Sequence, residues 1–234
     1  MRSPRTLPAF LWLIMLLQTP LTAQDQRAQN AGAENETCQM LLSQGPKPLI
    51  DDEAIILWNM RRACDPADSR SLSQLEQAIE GQDERHRFFH LSELAKTAFN
   101  AGEFGKAEAY AGELLLNASK WSHSYKDGKV FPDGSAIHDG NLILGRLAPR
   151  HNDLAAAKRY LLAAGQTAGS PVLGSFGPNV SLARDLLVRG ESEIVLEYFK
   201  LCRNFWDPQF SRVDEWSAIV KKGGMPAFRS NLLY

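Results

Sequence analysis

The chain has 234 residues, 44% of them hydrophobic and 23% charged, with a formal net charge of −1. That length suits one domain or two small ones with a sizeable core, and the composition excludes a wholly disordered chain. A charge so near zero gives no global field for nucleic acid or an anionic membrane, so any recognition by charge must be local.

Arg2 and Arg5 precede an apolar run from Leu7 to Leu17, and Leu21-Thr22-Ala23 ends on a small residue. This is the layout of a secretory signal peptide, expected over residues 1–23. The eleven residues of the run would make about 16 Å of helix against a hydrocarbon core of roughly 30 Å, too short for an anchor. No later stretch is long and apolar enough to span a bilayer, so stable membrane insertion is not expected. The expected location is periplasmic or secreted, where disulfides are permitted. Residues 24–36 are polar and small and read as a flexible tail, leaving 37–234 as a single helical domain.

Of the three cysteines, Cys38 and Cys64 share the N-terminal segment, 26 residues apart. Their pairing is expected and would stabilise a helical preamble by about 3 kcal/mol. Cys202 ends the apolar stretch Val195–Cys202 and reads as a buried free thiol. Three cysteines without CxxC spacing make a poor zinc site.

Short helices are expected over Asp51–Cys64, opened by two acids and closed by Asp65-Pro66, and over Ser71–Ile79. From Arg85 to Ala101, the residues Phe88, Leu91, Leu94, Ala95, Ala98 and Phe99 mark one buried stripe at helical spacing. Gly102-Glu103 breaks the chain, and Phe104–Ala118 returns with Ala107, Tyr110, Ala111 and Leu114 inward. A second hairpin follows: Ser135–Ala148 with Leu144, Gly145 and Ala148 inward, a stop at Pro149, a turn at Asn152-Asp153, and Leu154–Ala164 with Ala157 and Leu161. A third runs through Leu182, Ala183 and Leu186, Gly190-Glu191, then Val195, Phe199 and Cys202. Aligning the turns at Gly102, Asn152 and Gly190 brings apolar and small residues into register, with spacings of 50 and 38 residues. Val213–Lys222, closed by Gly223-Gly224, reads as a capping helix. Trp121–Gly134 and Gly165–Asn179 read as two long loops between hairpins.

These hairpins resemble tetratricopeptide repeats, which place a small residue in the first helix, a Gly or Asn turn, and an Ala in the second helix. Ala95 with Ala107 and Gly145 with Ala157 match the small positions. The third hairpin has Ala183 but Val195, the typical tryptophan is missing, and the closing proline is displaced to Pro171 and Pro208. Gly169–Trp206 also resembles bacterial proteins labelled only as repeat proteins. The fold class that this implies is all-α: an irregular tetratricopeptide-like hairpin array, an α-solenoid, with hairpins at about 85–120, 135–165 and 179–206, an N-terminal helical preamble and a C-terminal capping helix.

Candidate chemistry is sparse. His86, His90 and Glu93 share one helix face, but HEXXH is absent and the face reads as an ordinary polar one. His138 and Asp139 are adjacent, and adjacent helical residues point about 100° apart, so Asp139 reads as a helix-start acid. Nucleophile elbows and phosphate loops are absent. No catalytic residue, metal or cofactor is assigned. Asn35, Asn117 and Asn179 stand in glycosylation sequons. Lys96, Arg146 and Arg184 follow the small residue of the first helix in all three hairpins, and Arg150 extends the row. In stacked hairpins these first helices line the concave side, which would space the cations roughly 10 Å apart. The expected function is an exported, non-catalytic scaffold that binds a protein or peptide partner, acidic segments included, on the concave helix face. The alternatives are an enzyme built from loop residues or a permanent subunit of a larger complex.

Overall fold

Hydroxyl and carboxylate residues set the helix starts. Asp51, Ser71, Asp83, Asp133, Asp153 and Ser170 each accept the backbone N–H three places on, satisfying donors that a helix N-terminus leaves open. The computed structural model describes residues 36–44, 49, 51–121 and 133–233, with the backbone of 123–124 and 130–131. The expected signal peptide, nearly all of the expected tail and most of the first long loop lie outside the described residues.

In chain order the helices are α1 (residues 36–43), α2 (Asp52–Cys64), α3 (Leu72–Ile79), α4 (Glu84–Asn100), α5 (Phe104–Asn117), α6 (Gly134–Leu147), α7 (Leu154–Gly165), α8 (Pro171–Phe176), α9 (Ser181–Val188), α10 (Ser192–Cys202) and α11 (Val213–Lys221). Short 3-10 turns follow at Ala148–His151 and Arg229–Leu232, and His123–Ser124 pairs antiparallel with Val130–Phe131. The described residues are thus all-α but for that one pairing. No helix among them is long and apolar enough to cross a membrane.

Three hairpin turns share one geometry. Gly102, Asn152 and Gly190 sit at φ +85°, +60° and +81°. In each, the next residue's N–H reaches back five places: Glu103 to Ala98, Asp153 to Ala148, and Glu191 to Leu186, at 2.9, 3.1 and 3.0 Å. This is the Schellman closure, which satisfies the last carbonyls of one helix while reversing the chain. Pro149 does not stop its helix in the expected way. Ala148 keeps helical angles, φ −53° and ψ −42°, and proline enters at the start of the 3-10 turn, where its missing N–H costs nothing. The reversal falls to Asn152, whose side chain tolerates the left-handed region. The second long loop contains α8, signalled by Ser170 as cap and Pro171 in the first turn.

α4 packs on α5, α5 on α6, α6 on α7, α7 on α10, and α10 on α9 and α11. Ten of the fourteen residues of α6 are buried, so it is enclosed on every side rather than amphipathic. Small residues allow this: Ala95, Ala107, Ala157, Ala183 and Val195 are fully buried. A Cβ on Gly145 would stand 2.3 Å from the Leu182 side chain and 3.0 Å from that of Tyr160. Beyond α10, Phe199, Trp206, Trp216 and Phe228 stack at ring separations of 5.0 to 6.4 Å and close that end.

The preamble lies against the first helices of the hairpins. α2 packs on α4 and on the 3-10 turn Arg229–Leu232, and its Ile55 joins the core of Leu142, Leu182 and Ala183. Asn59, buried one turn on, donates to the Leu232 carbonyl at 2.7 Å, and the Asp52 carboxylate accepts the N–H groups of Phe228 and Arg229, both at 2.9 Å. Cys38 and Cys64 form a disulfide, with Cα atoms 5.4 Å apart, that ties α1 to the end of α2. Arg61 donates to the carbonyls of Leu41 and Leu42 at 2.7 and 3.1 Å, capping α1.

Two glycine substitutions separate close packing from helix propensity. A Cβ at Gly112, within α5, meets nothing within 4 Å. Gly112→Ala is expected to raise stability by about 0.5–1 kcal/mol, and Gly145→Ala to lower it by about 1–3 kcal/mol through overpacking. Chemical denaturation of both variants checks the opposite signs.

Candidate functional site

Two features stand out from the packing: a buried polar chain through the middle of the molecule and an open cleft beside α2. The polar chain begins on α4. Ser92 and Lys96 both donate to the Asp139 carboxylate on α6, Lys96 at 2.9 Å. The other carboxylate oxygen accepts from His138 Nδ1 at 2.8 Å, and His138 Nε2 meets the Tyr198 hydroxyl of α10 at 3.1 Å. A carboxylate only accepts, so the ring carries its proton on Nδ1, and in the neutral ring Nε2 accepts the Tyr198 O–H. Asp139 is therefore not a helix-start acid, and the two side chains do meet. Enclosure of α6 buries both and leaves them to find polar partners inside, each other among them.

Burial alone would raise the Asp139 pKa, but the Lys96 ammonium and the hydrogen bonds from His138 and Ser92 outweigh it and hold the carboxyl well below its ordinary range. Burial likewise pushes the Tyr198 hydroxyl up, and the free Cys202 thiol, one turn further along, up to about 12. That thiol is inert at neutral pH. His138 and Tyr198 are both 0% exposed, so neither can reach a proton on an outside substrate. The chain of polar groups ties α4, α6 and α10 together.

The cleft has a volume of about 380 Å³. Ile56, Met60 and Cys64, on successive turns of α2, form one wall, with Thr37 of α1 beside them. The Gly102 turn builds the other, bringing Phe99 at the end of α4 and Phe104 at the start of α5 edge to face, 5.5 Å apart at 71°. Arg146, in the last turn of α6, lies 4.2 Å over the Phe99 ring, and Arg150, one turn on, 3.5 Å over the Phe104 ring. Such stacking holds a guanidinium flat and leaves its in-plane donors available. Asn100 also lines the cleft; it is 9% exposed, and its side-chain amide has no hydrogen-bond partner among the described residues.

The four expected cations do not form one open row. Lys96 turns inward to Asp139. Arg146 pairs with Asp185 at 2.8 Å, and Arg184 pairs with Glu53 of α2. The carboxylates expected from a partner are thus supplied to these three by the chain itself. Arg150, exposed at the cleft rim, meets no carboxylate among the described residues. His86 and His90 stack at 4.8 Å and Glu93 is taken by Arg70, so that face is engaged in surface contacts. Among the described residues no group of three metal-ligating side chains comes together. In the sequons, Asn117 donates to the Glu113 carbonyl and Asn179 accepts from Ser181 N–H.

Phe99, Phe104, Ile56, Met60 and Asn100 were not singled out by sequence as site residues. Phe99 and Phe104 carried a signal, two aromatics flanking a glycine turn; the α2 residues carried none, since their neighbours are distant in sequence. Comparison of the chain with family models, curated proteins and solved structures returned no match.

The Asp139 carboxyl has a folded pKa below its ordinary value, so its contribution is fully present above the ordinary carboxylate range and is lost as pH falls through that range toward the folded value. Wild-type stability should decline steadily below about pH 5. Asp139→Asn should cost about 3 kcal/mol at pH 7, because Lys96 loses its partner, and should flatten the acid slope. Denaturant titrations from pH 3 to 7 check this; an unchanged slope contradicts the assignment.

Proposed function

We propose that this chain is an exported, non-catalytic binding protein. It is an irregular tetratricopeptide-like array of three hairpins, α4–α5, α6–α7 and α9–α10, that holds a protein or peptide partner on its concave side. The shared left-handed turns and the buried small residues at matching positions support the repeat reading. The single observation that carries the binding reading is the cleft. It joins an apolar interior to an exposed arginine at its rim, an arrangement with the apolar lining and few polar groups of a recognition site. Over the rest of the concave side α2 already occupies the place of a bound segment, which confines the partner to the cleft. The His138–Asp139 pair lends no support to an enzyme, since both rings of its hydrogen-bonded chain are sealed.

A photo-crosslinking residue placed at Met60, in the cleft, and another at Glu108, exposed on α5, test the reading in the producing cell. The expected result is one discrete adduct from Met60 and none from Glu108. The adduct should re-form with the purified partner and weaken with Arg150→Glu. Equal labelling from both positions, or none from Met60, overturns it.

A further inference from the structure

We propose that the cleft takes a peptide by one large apolar side chain with an adjacent acidic side chain, Asn100 reading the backbone between them and Arg150 selecting the acid. This rests on the binding reading above and names its ligand.

The size of the cleft sets the first limit. About 380 Å³ is at the small end of the range for ligand sites, roughly 300–1,000 Å³. A helix about 10 Å across does not fit such a space, whereas one or two side chains of an extended segment do. The interior is apolar on both walls, Ile56 and Met60 against Phe99 and Phe104, which suits an aromatic or long aliphatic group.

The polar groups then set orientation. Asn100 is nine-tenths buried and lines the cleft with its amide unpartnered among the described residues. A side-chain amide offers one acceptor and two donors, the complement of a peptide group, which offers both N–H and C=O. A fatty or aryl acid has no such group to present, so this residue favours a peptide over a small free acid. Arg150 stands at the rim with its guanidinium over Phe104, and among the described residues no carboxylate is against it. Lys96, Arg146 and Arg184, by contrast, are already matched by Asp139, Asp185 and Glu53. Recognition of charge therefore falls to Arg150, at the place where an acidic side chain next to the inserted apolar one emerges.

The test uses tetrapeptides acetylated and amidated at their ends, so that only the side chain carries charge: Ala-Phe-Glu-Ala, Ala-Phe-Gln-Ala and Ala-Ala-Glu-Ala, with decanoate as a small acid. Binding to the intact, oxidised protein is followed by NMR titration. The Phe-Glu peptide is expected to bind about fivefold tighter than the Phe-Gln peptide, a preference that fades in high salt. Loss of the phenyl ring should abolish saturable binding. Arg150→Gln, an exposed change that leaves the melting temperature unmoved, should bring the Glu and Gln peptides level. Asn100→Ala should weaken all peptides and spare decanoate. The proposal is overturned if no peptide saturates, if Arg150→Gln keeps the acid preference, or if decanoate binds best and Asn100→Ala changes nothing. Failure of the peptides with a persisting Met60 adduct removes the ligand class alone; loss of both removes the binding reading as well.

Discussion

Ile55, Asn59 and Ala63, one turn apart along α2, press into the side that α4, α6 and α9 would otherwise show to water, and most of the architecture follows from that contact. Burying Ile55 contributes about 1.5–3 kcal/mol. The polar groups around it decide where α2 lies: Asn59 and Asp52 hold the C-terminal segment, and Glu53 neutralises Arg184. The two ends of the domain are thereby joined across its middle. Among the described residues the chain closes over these helix faces and leaves the end toward Phe99 and Phe104 open.

The interior of the hairpins obeys a second constraint, close approach around α6. Gly145 and the buried alanines let neighbouring helices come near enough that α6 has no solvent face. An enclosed helix with a histidine and an aspartate must match them internally, and Lys96, Ser92 and Tyr198 do so. Lys96 is spent on this network, which removes it from any outward role and explains why register alone misplaces it.

Much of the fold was legible in the sequence because it depends on local rules. Apolar spacing, capping residues and turn glycines placed seven helices to within a residue and located the third hairpin about its Gly190 turn, and Asn152 was recognisable as a turn. Pro149 misled because proline is tolerated at the start of a new helical turn, and α8 was hidden inside a glycine-rich stretch although Ser170-Pro171 announces it. The site was less legible for a physical reason. The residues that meet there, Ile56 and Met60 with Phe99, Phe104 and Arg150, come from separate elements, and nothing local in α2 says which face it will cover. The adjacency argument about His138 and Asp139 failed for a different reason: Cβ directions about 100° apart do not keep the side-chain tips from meeting, and these meet at 2.8 Å.

The account turns on α2 being an integral part of the helix stack and not a detachable arm. Amide hydrogen exchange of the wild type and of Ile55→Ala, read helix by helix, tests this most directly. If α2 is integral, its amides exchange with the same free energy as those of α6 and α9, and Ile55→Ala lowers protection in all three together. If α2 exchanges quickly by local opening while α6 and α9 keep full protection in both proteins, the filled helix face, and with it the confinement of binding to the cleft, is contradicted.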